Sequence, residues 1–263
     1  MTSIASLWRY PVKSMMGEEL RATKITEKGV LGDRALALLD VETGKIVSAK
    51  NPKKWPTMFS FHSRYEDLPN TRRVRITLPD GSMINSDDAK INAILSHALG
   101  REVTLISQAP RTPRLEEYRL DIEELDNRDT VTDENIPEGA FFDFARVHLL
   151  TTSTLDELRL LYPAGRFEVR RFRPNIVART DKPGFTENDW VNKTLVIGDE
   201  VRLKITCPCP RCAMTTLSQG DLPQDTGILK TAVRHNEANV GVYAEVIKGG
   251  TVRCDDRIEV VDH

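Results

Sequence analysis

The chain reads Val201-Arg202-Leu203-Lys204-Ile205-Thr206 and continues at once with Cys207-Pro208-Cys209-Pro210-Arg211-Cys212. Apolar residues alternate with polar ones from Val201 to Thr206, which is the period of a strand with one buried face. The prolines that follow stiffen the end of this strand. This stretch therefore predicts a β-strand that leads directly into a group of thiols.

Short apolar or alternating runs on both sides of this strand predict further strands. They are Leu36 to Asp40, Lys45 to Ala49, Arg73 to Leu78, Val103 to Ile106, Val147 to Leu150, Asn175 to Ala178, Thr194 to Ile197, Val242 to Ile247 and Arg257 to Val261. Helices are predicted after a cap at Ser86, after Thr151 and around Leu229 to Val233. Because strands dominate and no βαβ alternation is sustained, the sequence predicts a mainly β fold, a β-barrel with inserted helices.

The composition is that of an ordinary globular protein. Of 263 residues, 40% are hydrophobic and 29% are charged, and the net charge is -2. We therefore expect neither nucleic acid nor a membrane as a partner. No run reaches the roughly 18 apolar residues of a spanning helix, and Met1 to Ser14 lacks the features of a secretory signal, so a cytoplasmic location is expected.

Residues 107–140 are rich in proline, arginine and acidic residues and show weak periodicity. We interpret them as a connection between two halves of the chain, which places a boundary after residue 106. The acidic run from Glu116 to Glu138 within this connection fits a solvated face or, alternatively, a docking surface.

Three of the four cysteines lie close together, at Cys207, Cys209 and Cys212, and Cys254 stands apart. Clustered thiols favour metal or redox chemistry over a disulfide framework. The spacing of Cys209 and Cys212 allows half of a zinc site, a dithiol or a single thiolate ligand to a metal, and buried structural cysteines are the remaining alternative. Arg211 beside Cys212 is expected to favour the thiolate, which is the form that binds metal.

Basic and polar residues near predicted strands form a second candidate group. Lys13-Ser14 closes one strand, Arg34 follows a glycine-containing turn, and Arg173 precedes Pro174-Asn175. Such sets can hold a phosphate because they offer charge and directed donors together, although ordinary surface charge explains each residue singly. The hydroxyls of Thr151 to Thr154 could likewise bind phosphate at a helix start, or simply cap that helix.

These segments together resemble the MOSC family, in particular its branch containing the mitochondrial amidoxime-reducing component and related bacterial proteins. The resemblance is carried by Tyr10-Pro11-Val12-Lys13-Ser14, Gly32-Asp33-Arg34, Leu150-Thr151-Thr152-Ser153-Thr154-Leu155, Phe172-Arg173-Pro174-Asn175-Ile176-Val177, Ile197-Gly198-Asp199, Cys209-Pro210-Arg211-Cys212, Asp225-Thr226-Gly227 and Gly241-Val242-Tyr243. These pieces follow the family order from residue 10 nearly to the C-terminus. The specific part of the set is a CxRC motif that follows an FRPN motif.

The resemblance implies an N-terminal β-barrel region at residues 1–106, packed on a MOSC β-barrel domain at residues 107–263. It also implies a molybdenum cofactor, a molybdopterin dithiolene, with Cys212 as the metal ligand. The positions expected to contact this cofactor are Lys13, Ser14, Arg34, Thr151, Thr152, Ser153, Arg173, Asn175, Pro210, Arg211 and Tyr243. The family is also associated with pyridoxal phosphate binding.

The activity implied by the resemblance is the reduction of small N-hydroxylated compounds, a molybdenum-dependent oxidoreductase reaction with Cys212 as the catalytic residue. Neither the membrane anchor of the mitochondrial proteins nor the ferredoxin-like extension of some bacterial relatives is expected here, so electrons are expected from a separate ferredoxin-like protein or flavoprotein. The loop Leu217 to Gln224 is longer than in the mitochondrial members. Two alternatives remain: sulfur transfer or cofactor carriage through Cys212, and a non-enzymatic domain with buried thiols.

Overall fold

Strands make up most of the regular structure. A computed structural model describes residues 1–69, 72–125, 127–138 and 141–262. The strands are β1 (Ser3–Arg9), β2 (Glu18–Leu20), β3 (Ala22–Thr26), β4 (Gly29–Val30), β5 (Ala37–Asp40), β6 (His62–Tyr65), β7 (Val74–Thr77), β8 (Met83–Asn85), β9 (Val103–Ile106), β10 (Arg114–Arg119), β11 (Thr130–Asn135), β12 (Val147–Thr151), β13 (Ile176–Arg179), β14 (Thr194–Ile197), β15 (Val201–Pro210), β16 (Asn239–Lys248), β17 (Gly250–Arg253) and β18 (Ile258–Val261). The helices are α1 (Ile91–Leu99), α2 (Thr152–Leu161), α3 (Val169–Phe172) and α4 (Gly227–Asn236), with 3-10 turns at Met58–Ser60, Thr186–Trp190 and Ala213–Thr216. The predicted mainly β fold is confirmed.

The largest sheet closes into a barrel. Its strands lie in the order β18-β14-β15-β16-β12-β13-β1-β2, and the pair β12 and β13 is parallel. The start of β1 also bonds to the chain around β18. The amide of Ile4 donates to the carbonyl of Asp256 at 2.9 Å, and the amide of Ile258 donates to the carbonyl of Thr2 at 2.9 Å. These bonds pair backbone groups that an open sheet would leave at its edge.

Aliphatic side chains that alternate along the strands fill the barrel interior. On β15, Val201, Leu203 and Ile205 are buried, while Lys204 between them is exposed. Burying each such aliphatic side chain stabilises the fold by about 1.5–3 kcal/mol. The alternation predicted for this strand is confirmed, and the strand continues through the prolines to Pro210.

A second core is built mainly from N-terminal segments. β5 pairs with β9, and β6, β7 and β8 form a separate sheet. Ile91 and Leu95 of α1 belong to the same buried cluster as Val74 of β7. Met214 also belongs to this cluster, and Cys212 packs against it. The thiols that follow β15 therefore lie where the barrel meets the N-terminal core.

The two ends of the chain share sheets. β1 pairs with β13, and β3 pairs with β17, so strands from the first part of the chain complete sheets built from the last part. A domain boundary after residue 106 would assign the two strands of each pair to different domains. That domain boundary stays a prediction.

Two local predictions differ from the structure. Residues 45–49 form no strand, although Ile46 makes an isolated bridge to Leu39. Ser86 does not cap α1, which begins at Ile91, because the Ser86 hydroxyl accepts a hydrogen bond from the amide of Val74 at 3.0 Å. No helix among the residues described is long and apolar enough to cross a membrane.

The segment interpreted as an irregular connection contains an antiparallel hairpin of β10 and β11. Sequence reasoning missed it because β11 is mostly exposed and carries polar residues on both faces. Its acidic side chains meet basic partners: Glu116 with Lys45 at 3.1 Å, Asp129 with Lys53 at 3.1 Å and, from the connecting loop, Glu124 with Arg234 at 2.8 Å. These pairs partly neutralise the acidic run, and Asp126 within it lies outside the described residues. Its use as a docking surface stays a prediction.

Candidate cofactor site

A cleft of about 610 Å³ opens between the barrel and the N-terminal core. Its walls come from the chain after β1, the segment before β12, the end of α3 and the end of β15. These segments lie far apart in sequence. The fold, and not any local motif, therefore assembles the cleft.

The cleft gathers most of the residues that were expected to contact a cofactor. They are Lys13, Ser14, Arg34, Arg173, Asn175, Pro210, Arg211, Cys212 and Tyr243. Residues spread along most of the chain thus share one space. The role of each residue in cofactor binding stays a prediction.

Three of these residues have left-handed backbone conformations, which are uncommon outside glycine. The angle φ is 64° at Ser14, 44° at Arg34 and 54° at Arg173. Arg173 adopts it directly after the last residue of α3. Such conformations cost on the order of 1–3 kcal/mol each and persist where the surrounding structure enforces them, often at functional sites.

A buried carboxylate, Asp33, ties three segments of the cleft together. It accepts hydrogen bonds from the amide of Tyr10 at 2.7 Å, from Nδ2 of Asn175 at 3.0 Å and from the guanidinium of Arg34. Asn175 in turn accepts a hydrogen bond from the amide of His148 at 3.2 Å. Since both polar atoms of the Asn175 side chain bond within the protein, its contacts are those of a positioning residue. Asp33 lies in the Gly32-Asp33-Arg34 motif but carried no predicted role.

Two guanidinium groups of the cleft lie close to one buried aromatic ring, that of Tyr10. Arg34 and Arg173 lie 4.8 Å and 4.2 Å from the ring centroid of Tyr10. Burial, followed by the nearby charge of Arg34, lowers the pKa of Arg173 to about 10. The Tyr10 hydroxyl is buried and, within the described part of the chain, has no hydrogen-bond partner. Two closely spaced buried cations are typical of a site that binds an anion.

Asp143 lies between two lysines of the cleft and was missed by sequence reasoning. It pairs with Lys13, and its second oxygen lies 3.4 Å from Nζ of Lys50. Burial acts to raise the pKa of Asp143, but the two lysines outweigh it and hold this pKa below its usual range. Lys13 also donates to the carbonyl of Phe141 at 2.8 Å. The ammonium group of Lys13 is thereby fixed at the edge of the cleft.

The two cysteines of the CxRC motif occupy different environments. Cys209 is fully buried and accepts a hydrogen bond from Nη1 of Arg211 at 2.7 Å. Cys212 is half-buried and lines the cleft. Across the described residues, no group of three or more His, Cys, Asp or Glu side chains could hold a metal ion. A zinc site built from protein ligands therefore finds no support there.

Lys50 acts more strongly on the Cys212 thiol than the neighbouring Arg211 does. Burial raises the pKa of the Cys212 thiol above its usual range; Lys50 and, more weakly, Arg211 act to lower it, and Glu117 acts with burial to raise it. Arg211 acts on the pKa of Cys212 in the expected sense, but burial outweighs it, and its guanidinium bonds to Cys209 and not to Cys212. That the thiolate is favoured at Cys212 stays a prediction. Lys50, which carried no predicted role, is the more important cation for this thiol.

Thr151, Thr152 and Ser153 do not line the cleft. Thr151 caps α2, because its hydroxyl accepts a hydrogen bond from the amide of Thr154 at 3.2 Å. Thr151 and Thr154 also donate to the buried carboxylate of Glu187, and Ser153 shares a hydrogen bond with Thr151 at 2.9 Å. Capping accounts for the Thr151 hydroxyl, and Ser153 bonds to Thr151. Since none of the three residues lines the cleft, the cofactor contacts expected of them have no geometric support.

Known protein families match both parts of this chain. The MOSC N-terminal beta barrel domain matches residues 1–122, and the MOSC domain matches residues 138–259. The chain belongs to the MOSC family.

Relatives of known name resemble this MOSC protein over most of its length. Mitochondrial amidoxime reducing component 2 of Rattus norvegicus is 26% identical over 249 residues, which cover 86% of this chain and 68% of the relative. The Homo sapiens protein of the same name is 26% identical over 245 residues, with the same coverage of 86% and 68%. Molybdenum cofactor sulfurase of Oryza sativa subsp. japonica is 24% identical over 246 residues, which cover 82% of this chain but 28% of the relative.

A solved structure has a similar fold along the whole chain. The YuaD protein from Bacillus subtilis superposes with a TM-score of 0.52 at 13% sequence identity, covering 100% of this MOSC chain and 97% of YuaD. At this identity the likeness shows a shared fold and carries nothing further about activity.

The cleft of this MOSC protein fits the molybdenum cofactor that the family implies. Its basic lining residues outnumber its acidic ones, with Lys13, Arg34, Lys50, Arg119, Arg173 and Arg211 against Glu117 and Asp143. The Nε atom of Arg211 is buried with no partner among the described residues, so a donor is left for an added group. A buried donor rarely stays unpaired in a native protein. Positive charge for a phosphate and a thiol for a soft metal are the donor set that this cofactor needs.

Several residues without a predicted role also line the MOSC cleft, among them Lys50, Glu117, Asp143 and His148. One sequence signal could have found part of this wall. The run Phe141-Phe142-Asp143-Phe144 is aromatic within a polar segment, and the Phe144 ring lies 5.5 Å from the Tyr243 ring. Lys50 and Glu117 offered no such signal, because only the fold brings them to Cys212.

Proposed function

We propose that this MOSC protein reduces N-hydroxylated compounds with a molybdenum cofactor bound in the cleft. The observation that carries the proposal is the position of Cys212, a thiol in a cleft lined by an excess of cations. The similarity to proteins named mitochondrial amidoxime reducing component 2 supports the same reaction class, because an amidoxime carries an N–OH group.

The residues of the chain would hold the cofactor at two ends. Cys212 would be the metal ligand, and Lys13, Arg34 and Arg173 would bind the phosphate. Charge-assisted hydrogen bonds of this kind contribute about 1.5–3 kcal/mol each. Asp33 supports this binding by fixing the guanidinium of Arg34 through a buried contact.

When bound, the cofactor supplies the two electrons that break the N–O bond of the substrate. The overall reaction is R–NH–OH + 2 e⁻ + 2 H⁺ → R–NH₂ + H₂O, in which the N–O bond breaks and the oxygen leaves as water. The protein fixes the metal ligand, offsets the charge of the phosphate and leaves the half-buried Cys212 accessible from the cleft.

We expect the electrons to come from a separate one-electron carrier, a ferredoxin-like protein or a flavoprotein, because the sequence contains no glycine-rich dinucleotide loop. With NADH alone, the purified protein should reduce benzamidoxime at the background rate. Addition of a ferredoxin or flavoprotein reductase system should start turnover, and chemically reduced viologen should replace both. Rapid turnover with NADH and no second protein would show that the chain has a donor site of its own.

Cofactor carriage or sulfur transfer through Cys212 is the second candidate function, and the similarity to Molybdenum cofactor sulfurase favours it. In that case the protein would pass bound cofactor to an acceptor once per chain and would show no turnover. Reduction of many N–OH groups per chain would decide for the reductase.

A further inference from the structure

A smaller cavity of about 350 Å³ adjoins the cleft at Cys212. The two spaces share Glu117, Arg119, Arg211 and Cys212 in their walls. The smaller one continues along the β10–β11 hairpin and its connecting loop to α4, and none of the three proposed phosphate-binding residues lines it. The Cys212 residue therefore lines both the cleft, which is suited to an anion, and the smaller cavity, which lacks Lys13, Arg34 and Arg173.

About half of the wall of the smaller cavity is apolar, and the polar remainder includes Asn127 and the charged residues Glu117, Arg119 and Arg211. Leu120, Leu125 and Leu229 line it together with Tyr118. Leu229 of α4 is buried, whereas Leu120 and Leu125 are partly exposed, so the apolar wall runs from the interior to the surface. The Tyr118 hydroxyl donates to Asp129 at 2.8 Å, which holds the ring in place. A cavity of this size and lining suits an aromatic or branched aliphatic group.

The polar residues of this cavity leave an excess of positive charge. Nζ of Lys50 lies 3.0 Å from one oxygen of Glu117, and Arg119 lies 3.2 Å from the other oxygen. Lys50 does not line this cavity and also contacts Asp143, and Arg119 also pairs with Glu134 at 3.0 Å. The guanidinium of Arg211 bonds to Cys209 and to the carbonyl of Phe172, so its positive charge meets no carboxylate among the described residues. A cationic group placed in this cavity would be repelled by the guanidinium of Arg211, whereas an uncharged group would not.

We infer that the smaller cavity binds the organic substituent of the substrate and thereby selects which N-hydroxylated compounds this protein accepts. The inference rests on the proposed reductase function. The substrates it predicts are uncharged N-hydroxylated compounds that carry an aromatic or branched aliphatic substituent. The N–OH group lies beside Cys212, and the substituent lies among the leucines.

The substitution Leu125→Trp in the cofactor-loaded protein tests the apolar wall by filling it. We expect KM for benzamidoxime to rise about ten-fold, while kcat/KM for hydroxylamine, which has no substituent, stays within about two-fold. Leu160→Trp is the matched control, because Leu160 lies on α2 and is 75% exposed. The pterin content of both variants should equal that of the unchanged protein.

The substitution Arg119→Gln tests the charge. The quantity measured is the ratio of kcat/KM for a benzamidoxime with a quaternary ammonium substituent to kcat/KM for benzamidoxime itself. Arg119→Gln should raise this ratio about five-fold, because it removes a positive charge from the cavity wall. Arg128→Gln removes the same charge from the same hairpin, where Arg128 lies 3.6 Å from Asp121 and outside the cavity. This control should leave the ratio unchanged.

Calorimetric binding of benzamidoxime to each protein gives a readout that does not depend on turnover. If the protein reduces no N–OH compound but Leu125→Trp still weakens this binding about ten-fold, the cavity assignment stands and the proposed function fails. If reduction is normal but neither KM nor binding changes in Leu125→Trp, the cavity assignment is overturned and the proposed function stands. An equal loss of kcat/KM for both substrates would also overturn it, since the cavity would then not act on the substituent.

Discussion

Replacement of Cys212 by alanine is expected to lower the rate of N-hydroxy reduction by more than about 100-fold. Residues that only orient a metal ligand already change activity or metal affinity by about 10- to 100-fold, so loss of the ligand itself should cost more. The effect should appear in steady-state turnover with reduced viologen, which bypasses any donor protein. The electronic spectrum of the bound metal should change as well, because its sulfur ligand is gone.

Cys254→Ala is the matched control for this substitution. The Cys254 thiol lies at the end of β17, where it donates to the carbonyl of Leu20 at 3.5 Å, and it does not line the cleft. We expect turnover and spectrum close to those of the unchanged protein. Turnover of Cys212→Ala at the level of Cys254→Ala would refute the assignment of the metal ligand.

Removal of the basic side chains of Lys13, Arg34 and Arg173, which line the cleft, should release the cofactor. Arg173→Ala removes one charge-assisted interaction, worth about 1.5–3 kcal/mol. This corresponds to a loss of cofactor affinity of about 10- to 150-fold. The combined replacement of Lys13, Arg34 and Arg173 by alanine should leave the purified protein nearly free of pterin, measured by fluorescence after oxidation.

Arg101→Ala serves as the control for general loss of positive charge, because Arg101 is exposed and its contact with Glu42 spans 3.5 Å. Circular dichroism and thermal unfolding identify any variant that loses pterin through misfolding. Arg173→Lys keeps the charge and should restore part of the affinity. Full pterin content in the folded triple variant would mean that these three residues do not bind the cofactor.

Local patterns in the sequence were enough to predict the strand that leads to the thiols. The alternation from Val201 to Ile205 reflects one buried face, and this property is visible within a few residues. The order of the strands could not be predicted in this way. β1 pairs with β13 and bonds to the chain around β18, and these contacts join residues from opposite ends of the sequence.

The candidate site was predictable where motifs mark it and unpredictable where only the fold forms it. Lys13, Arg173 and Cys212 lie in short motifs, and the structure brings them into one cleft. Lys50 and Asp143 lie in no such motif, although they pair with each other and Lys50 acts on the Cys212 thiol. Interactions between residues so distant in sequence follow from packing, which no local pattern encodes.

The hydroxyls of Thr151 to Ser153 show the opposite case, a motif with two physical explanations. A helix start attracts both phosphate and capping side chains, because both satisfy free backbone N–H groups. The sequence could not separate the two. The bonds from Thr151 and Thr154 to the buried Glu187 favour the structural explanation, since a carboxylate already occupies this position.

We propose that the cleft beside Cys212 holds a molybdenum cofactor. The most direct measurement is the molybdenum and pterin content of protein purified from a host that makes this cofactor, beside protein from a host that does not. We expect about one molybdenum and one pterin per chain from the first host and neither from the second. Folded protein from the competent host that contains neither molybdenum nor pterin would mean that the cleft does not bind this cofactor.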